Sequence, residues 1–547
     1  MESIQFENLR AIKDSGEIKL SNLNLFLGAN STGKSTILRF FPLVRQTLFR
    51  NNDTPLLWYD PEGVDFGSFK ESVHSKNEKE VLSYSFSFKD VDINLNNSNV
   101  LLDVLRFHVG EKKLMKSNNI YKYFAFFIDD NEKKQKNKIS DISIKISINK
   151  DKYKKVSVKL DNKKIEFNFD ESSIKIDGRE ILFFDDLTLE GINQTNKIIP
   201  EIFTDESKKN NSKNRHKHLQ KIVDDHLGKK LFENINPSIS IDKLAQFFST
   251  LKYYGTRKEF EAYILEKKFP KTILATFKKN IDYIYDDYTI LTALFTMNKI
   301  NENLDTLFSQ ISYIAPVRAT AERYYRIQGL SVLDVDSTGT NVPMILHSMS
   351  AKQKSSWKKW TKETFNIEFE TFQNGGHIGI NVHSLEENKY NLADTGFGYS
   401  QILPVLLVIW KQINNKGKYK SRRGMPKDYY GKMESPKNLI VIEQPELHLH
   451  PAMQAQFADL LISIISNYPE IQFIIETHSI VIMNRIGQHI EKNNLEENSK
   501  NLEDKINIFL VNPISNNDTD KNITPTSYDH EGIIKEWPVG FLSGGIL

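Results

Sequence analysis

Apolar and polar positions along the chain fall into three kinds of pattern. Strict alternation marks Ile4-Gln5-Phe6, residues 82–90 (LSYSFSFKD) and residues 138–160 (KISDISIKISINKDKYKKVSVKL), each the mark of a half-buried strand. Asn149-Lys150-Asp151 interrupts the last stretch and predicts a hairpin turn. Short, mainly apolar runs predict strands buried on both faces: Leu23–Leu27, Leu439–Ile442 and the start of IQFIIETHS at 471–479. Helical spacing appears from about 242 to 310, as in Phe247, Leu251 and Tyr254 and again in Leu291, Leu294 and Phe295. The expected fold class is therefore α/β. Its N-terminal part (1–95) and C-terminal part (311–547) enclose a β-rich insert with a polar linker (96–241) and a helical insert (242–310). Within that linker, residues 205–221 (DESKKNNSKNRHKHLQK) read as loop, and no internal repeat is apparent.

A length of 547 residues exceeds what one core usually needs, so two or more structural units are expected. The 39% hydrophobic and 26% charged residues are ordinary for a globular protein. Cysteine is absent, which excludes disulfides, thiolate metal sites and cysteine nucleophiles. Met1 leads straight into a strand pattern, and the chain has neither a signal-peptide pattern nor a long uncharged apolar run. A cytoplasmic protein with no membrane segment is expected. The net charge of +3 is too small to argue for nucleic acid by itself.

Two basic stretches remain. Residues 133–164 hold 12 Lys against Asp141, Asp151 and Asp161. Residues 416–437 hold 8 Lys and Arg against Asp428 and Glu434, and include Lys418, Lys420, Arg422 and Arg423. The chain is rich in lysine throughout, so a solvated loop competes with contact to DNA or RNA. Alanine at Arg422 and Arg423 distinguishes the two: nucleic-acid contact predicts weaker binding and a flatter salt slope, while an unchanged slope in a salt titration returns the run to solvent.

Chemistry concentrates in four stretches. The first is Gly28-Ala29-Asn30-Ser31-Thr32-Gly33-Lys34-Ser35, lying between the Leu23–Leu27 run and a predicted helix from Lys34. This is the phosphate-loop spacing: glycines let successive N–H groups turn toward phosphate oxygens, and the following helix adds its dipole. Lys34 is placed to reach the β and γ phosphates and Ser35 to ligate Mg²⁺. Asn30, Ser31, Thr32, Gly33 and Thr36 complete the expected contacts with the nucleotide, which the resemblance given below implies is ATP. The second stretch is KNLIVIEQPELHLHP (437–451), where Glu443 ends an apolar strand and can hold Mg²⁺ through water. Third, IQFIIETHS ends a similar strand at His478, a candidate γ-phosphate sensor. Fourth, LADTGFGYSQILPVLL (392–407) sets Gly396, Gly398, Ser400 and Gln401 before an apolar helix. Its helix N-terminus has no phosphate to hold within the same chain, unless a second subunit supplies one.

These four elements in this order resemble the ABC-class ATPase heads of the structural-maintenance-of-chromosomes, RecF and overcoming-lysogenization-defect group. In that comparison residues 28–35 are the Walker A loop, 439–443 the Walker B strand, 394–401 the signature loop and His478 the switch histidine. YIAPVRATAERYYRI (313–327), STGTNVPMIL (337–346) and the ending GIIKEWPVGF (532–541) are similar to stand-alone bacterial defence ATPases, PtuA-like members of Septu and retron systems among them. The resemblance covers roughly 1–95 and 311–547.

It implies an ABC-type head that pairs head-to-tail, with Gly398, Ser400 and Gln401 closing on the γ-phosphate held by a second copy. It also implies an HNH-type effector nuclease as partner, and a complex with a reverse transcriptase and its RNA–DNA product in the retron case. Most members follow the Walker B acid with a glutamate that orients water; here the residue is Gln444. Its amide can position water but cannot take a proton, so hydrolysis is expected to be slow. Glu446 is a substitute carboxylate, and Gln444, Glu446 and His478 form the expected catalytic set. No clear Q-loop glutamine is present; VDFGSFKE (64–71) stands in its place.

Only 69 residues (547 minus 478) follow His478, too few for the metal-binding nuclease domain of the lysogenization-defect group. Asp518 and Asp520 read as a solvated turn, and His448 and His450 as part of the ELHLHP pattern rather than metal ligands. Two competing readings stand beside the defence ATPase: a RecF-like repair ATPase that binds DNA directly, and a scaffold that binds ATP without hydrolysing it.

Overall fold

The computed structural model describes residues 1–50, 54–92, 138–171, 173–183, 198–200, 253–266, 271–327, 334–383, 389–414, 438–495, 502–513 and 521–538. The linker 205–221, Phe247 and Leu251, the basic run with Lys418, Lys420, Arg422 and Arg423, the pair Asp518 and Asp520, and the last residues of the closing stretch lie outside them. The chain divides into two compact units. One comprises Met1–Ile4, Asn51–Pro55 and Val81–Glu302; the other comprises Gln5–Arg50, Leu56–Glu80 and Asn303–Leu547.

In the first unit the alternating stretches form an antiparallel meander: Leu82–Asp92, Lys138–Ile148, Tyr153–Leu160, Lys163–Asn168, Ser173–Ile176 and Arg179–Phe183, each paired with the next. Period-two patterning dictates the register, because a one-residue slip would turn every apolar side chain to solvent. Tyr84 thus lies opposite Ile146 and Phe86 opposite Ile144, all of them buried. The turn at Asn149 is closed by its own side chain, whose Oδ1 accepts from the N–H groups of Asp151 (3.2 Å) and Lys152 (2.9 Å). Helices Arg257–Glu266 and Lys271–Ser309 follow. Buried Thr289, Thr292 and Thr296 each donate to the carbonyl four residues back, at 2.8, 2.9 and 2.7 Å, which lets a helix carry hydroxyls into a core.

The second unit holds the apolar runs. Five strands are parallel, in the spatial order Ser312–Ile314, Asn438–Glu443, Ile471–Glu476, Leu23–Leu27 and Ile506–Val511, with Ile523–Thr526 antiparallel at the edge. Leu23–Leu27 and Ile471–Glu476 are buried at every position, as strands covered on both faces must be. Helix Lys34–Phe49 packs on the strands that end in Glu443 and Glu476. Phe397–Asn414, Pro451–Asn467 and Ile480–Leu495 supply further helices. The strand carrying the phosphate-loop sequence therefore lies next to the strand ending in Glu476, with the strand ending in Glu443 one place farther away. Among the described residues, no helix is long and apolar enough to cross a membrane.

Candidate functional site

The 28–35 loop leaves the buried Leu23–Leu27 strand and enters the helix at Lys34. Two of its turns can be made only by glycine. At Gly28 (φ 157°) a Cβ would lie 2.4 Å from the Val511 carbonyl oxygen, and at Gly33 (φ 109°) it would lie 2.8 Å from Ile12 Cδ1. Ser31 is also left-handed, at φ 66°. Lys34 is 97% removed from solvent (3% exposed) and curls back on its own loop, donating to the carbonyls of Gly28 (3.0 Å) and Ala29 (2.7 Å). Burial lowers its pKa, opposed by Glu476, whose Oε1 lies 4.0 Å from Nζ. Such a buried cation, held by neutral carbonyls and one carboxylate at the limit of contact, is prepared for an anion.

The two strand-end carboxylates differ. Glu443 is locked: Arg39 Nε and Nη2 donate to its two oxygens at 2.8 Å each, and the Tyr313 hydroxyl donates to Oε1 at 2.6 Å. That hydrogen-bonded pairing raises the Arg39 pKa, while burial raises that of Tyr313. Glu476, aligned with Glu443 in the register of the two strands, instead meets the loop. Its Oε2 accepts from Ser35 Oγ at 2.7 Å. Ser35, expected to share Mg²⁺ with Glu443, is here held by Glu476, the acid of the strand between them. Burial also raises the Glu476 pKa.

Gln444 adopts a left-handed backbone (φ 44°) pinned at both ends. Its N–H donates to the Glu476 carbonyl at 2.8 Å, and its own carbonyl accepts from Arg318 Nη2 at 3.4 Å. Arg318 also donates to the Glu443 carbonyl at 2.9 Å. It is buried, its pKa is pushed down to about 10 by that burial, and its Nε and Nη1 find no hydrogen-bond partner among the described residues. Glu446 is spent on the turn before the next helix: Oε1 accepts from the His478 N–H at 2.6 Å and Oε2 from the Thr477 hydroxyl at 2.9 Å. Burial raises its pKa against those hydrogen bonds. In this state Glu446 positions His478 rather than standing free for water. The His478 ring is held toward its neutral form, first by burial and then by the charge of Lys34.

In the fourth stretch, Ser400 and Gln401 are buried, and the Ser400 hydroxyl donates to the Phe397 carbonyl at 2.8 Å. The exposed residues of this stretch are Ala393, Asp394, Gly396 and Phe397. Gly398 lies against the ELHLHP turn, where a Cβ would come 3.0 Å from the His448 carbonyl oxygen. His450 caps the Pro451–Asn467 helix through its side chain. VDFGSFKE is an anchoring segment: Ser68 and Glu71 form a capping box, and the Arg10 guanidinium lies 4.3 Å over the Phe66 ring.

Glycine cradle, buried lysine, serine hydroxyl and carboxylate fit a nucleotide phosphate with a hard divalent cation, since Ser35 and the two strand-end carboxylates offer oxygen donors. Among the described residues no cluster of three or more His, Asp or Glu could hold a metal by itself, so the cation would share its coordination with phosphate. Arg39, Tyr313, Arg318, Glu476 and Thr477 are members of the site that pattern reading passed over. Only Glu476 carried a signal, as an acid at the end of an apolar run two places before His478.

Residues 1–483 match the AAA ATPase domain family. No curated protein matches the chain. Among solved structures the chain is similar to an Smc head domain with an extended coiled coil bound to the C-terminal domain of ScpA, from Pyrococcus furiosus (12% identity, 96% of each chain covered, TM-score 0.32). It is also similar to the SMC head domain from Thermotoga maritima (9% identity, 96% and 98% covered, TM-score 0.32).

Proposed function

The chain belongs to the AAA ATPase domain family, and we propose that it binds Mg²⁺·ATP in the 28–35 loop, hydrolyses it slowly and acts as a nucleotide-controlled regulator. The observation that carries this reading is Lys34, buried and turned onto Gly28 and Ala29 in a loop that only glycine can shape. ATP supplies the bond that is cleaved, and Mg²⁺ would neutralise the charge that develops on its phosphate oxygens. Lys34 exchanges its carbonyl contacts for phosphate, and Ser35 presents an oxygen to the metal.

Gln444 is the reason for slow turnover. Its backbone is fixed by Glu476 and Arg318, so its amide can orient a water molecule without accepting a proton from it. Gln444→Glu is expected to raise steady-state phosphate release several-fold; an equal or lower rate in that assay would remove Gln444 from the account. His478, neutral and tied through its N–H to Glu446, serves as a hydrogen-bonding sensor of the γ-phosphate.

Two copies are proposed to close head-to-tail around ATP. Gly396 and Phe397 would meet the partner first, because Ser400 is turned into its own helix. The output is proposed to be control of an associated nuclease in anti-phage defence. Support for that part is the likeness of residues 313–327, 337–346 and 532–541 to defence ATPases, and recovery of an HNH protein with the native chain, lost on changing Lys34, is its test.

A further inference from the structure

A left-handed backbone at a residue with a side chain, such as Gln444 (φ 44°), persists only where its surroundings impose it. Here the Glu476 carbonyl takes the Gln444 N–H, and Arg318 does the rest. Its Nη2 donates to the Glu443 carbonyl at 2.9 Å and to the Gln444 carbonyl at 3.4 Å. One nitrogen thus holds both peptide planes that flank the Gln444 Cα, and with them the direction in which its side chain leaves the turn. Stability does not account for a guanidinium in this place. Arg318 is 4% exposed, no carboxylate is in ion-pair contact with it among the described residues, and its Nε and Nη1 have no hydrogen-bond partner there. A buried cation so poorly compensated costs stability, and an apolar side chain of similar length would not.

The segment that carries Arg318 is itself braced. Ala315 and Ala319 donate their N–H groups to the carbonyls of Ser337 (2.8 Å) and Thr338 (2.9 Å), which ties the chain on both sides of Arg318 to the loop 336–341. That loop is wound around the Asp336 carboxylate, which accepts from the N–H groups of Thr338, Thr340 and Asn341 and from the hydroxyls of Thr338 and Thr340. Gly339 (φ 76°), where a Cβ would lie 2.4 Å from Pro404 Cγ, seats the loop on the Phe397–Asn414 helix. We propose that Arg318 is the positioning residue for Gln444: by clamping the two flanking peptides it keeps the Gln444 amide at the water it orients, without itself touching nucleotide or water. The inference rests on the slow-hydrolysis reading above, in which Gln444 orients that water.

Two measurements on the full chain test it. Hydrogen exchange of the backbone amides at 444–449 reads the clamp without any turnover. Arg318→Met is expected to speed exchange at that turn roughly 10-fold, and exchange equal to the parent's overturns the proposal. In steady-state phosphate release, Arg318→Met is expected to lose roughly 10- to 100-fold in kcat, with KM and affinity for the ATP analogue AMPPNP unchanged. Arg318→Lys, whose ammonium can still reach the carbonyls, should recover part of that loss. Once Gln444 is changed to alanine, Arg318→Met should cost nothing further, because the residue through which it acts is gone. The same loss in the Gln444→Ala background, or a raised KM at unchanged kcat, overturns the proposal. Should Arg318→Met fail to fold, Arg318→Gln, too short to span both carbonyls, is read by the same outcomes. Phosphate release unchanged by Gln444→Ala would defeat the reading of Gln444 itself, and the exchange measurement then still decides whether Arg318 holds the turn.

Discussion

Lys34→Met should raise or maintain the melting temperature of the nucleotide-free protein while abolishing its stabilisation by ATP. Both effects have one cause. In the free protein the ammonium is buried against two carbonyls, with Glu476 only at 4.0 Å, so its lost hydration is incompletely replaced. A methionine of similar shape removes that cost. With ATP, the same ammonium gains charge-assisted bonds worth about 3 kcal/mol, or roughly 100-fold in affinity. At ATP near 100 times the parent Kd the parent should gain about 2.7 kcal/mol from binding and the variant almost none. Thermal melts with and without Mg²⁺·ATP measure both quantities. A variant that melts well below the parent without nucleotide, or still shifts with ATP, contradicts the reading of Lys34 as a cation held ready for phosphate.

The second large effect lies at Arg39. Glu443 is 1% exposed and depends on this guanidinium at both oxygens. Arg39→Met leaves an ionised carboxylate in the interior with only the Tyr313 hydroxyl, and removing one member of a buried pair costs about 3–5 kcal/mol. The lower end is expected here, because the Arg39 side chain is 32% exposed. Replacing both partners, Arg39→Met with Glu443→Gln, should recover most of the loss, since no charge is then stranded. Urea unfolding of the two single variants and the double variant gives the coupling energy directly. A double variant no more stable than Arg39→Met would show that Arg39 stabilises the unit by some route other than Glu443.

What the sequence carried and what it withheld differ by range of interaction. Local rules placed the meander: alternation from 138 to 160 and the Asn149 turn require only neighbours along the chain. They also placed the phosphate loop, because Gly28, Gly33 and Lys34 are a local geometric demand. The pairing order of parallel strands is not local. Leu439–Ile442 and Ile471–Ile475 (the latter broken only by Gln472) are both apolar runs followed by an acid, and nothing in either says which one pairs with Leu23–Leu27. Glu443 was thus expected beside the loop, where Glu476 stands. Arg39 and Arg318 were passed over for the same reason: their partners lie 404 positions away for Arg39 and 125 and 126 for Arg318. Ser400 and Gln401 were expected before the helix, but the helix begins at Phe397, and the burial of Ser400 on the Phe397 carbonyl was not legible.

The strand order also bears on how the protein is made. Leu23–Leu27 leaves the ribosome early, but both of its sheet neighbours come from the far end of the chain; Asn24 Nδ2 and the Phe473 carbonyl it binds are 449 positions apart. At ribosomal speeds of about 5–20 residues per second, that interval lasts roughly 20 to 90 s. During it the strand has neither of its ladders, and the loop lacks the Val511 carbonyl against which Gly28 packs. Through that interval the strand presents an unpaired apolar edge of the kind that favours aggregation. ATP can first be held only after residues 471–476 and 506–511 have been made, so a product truncated before them cannot enter the nucleotide-bound state.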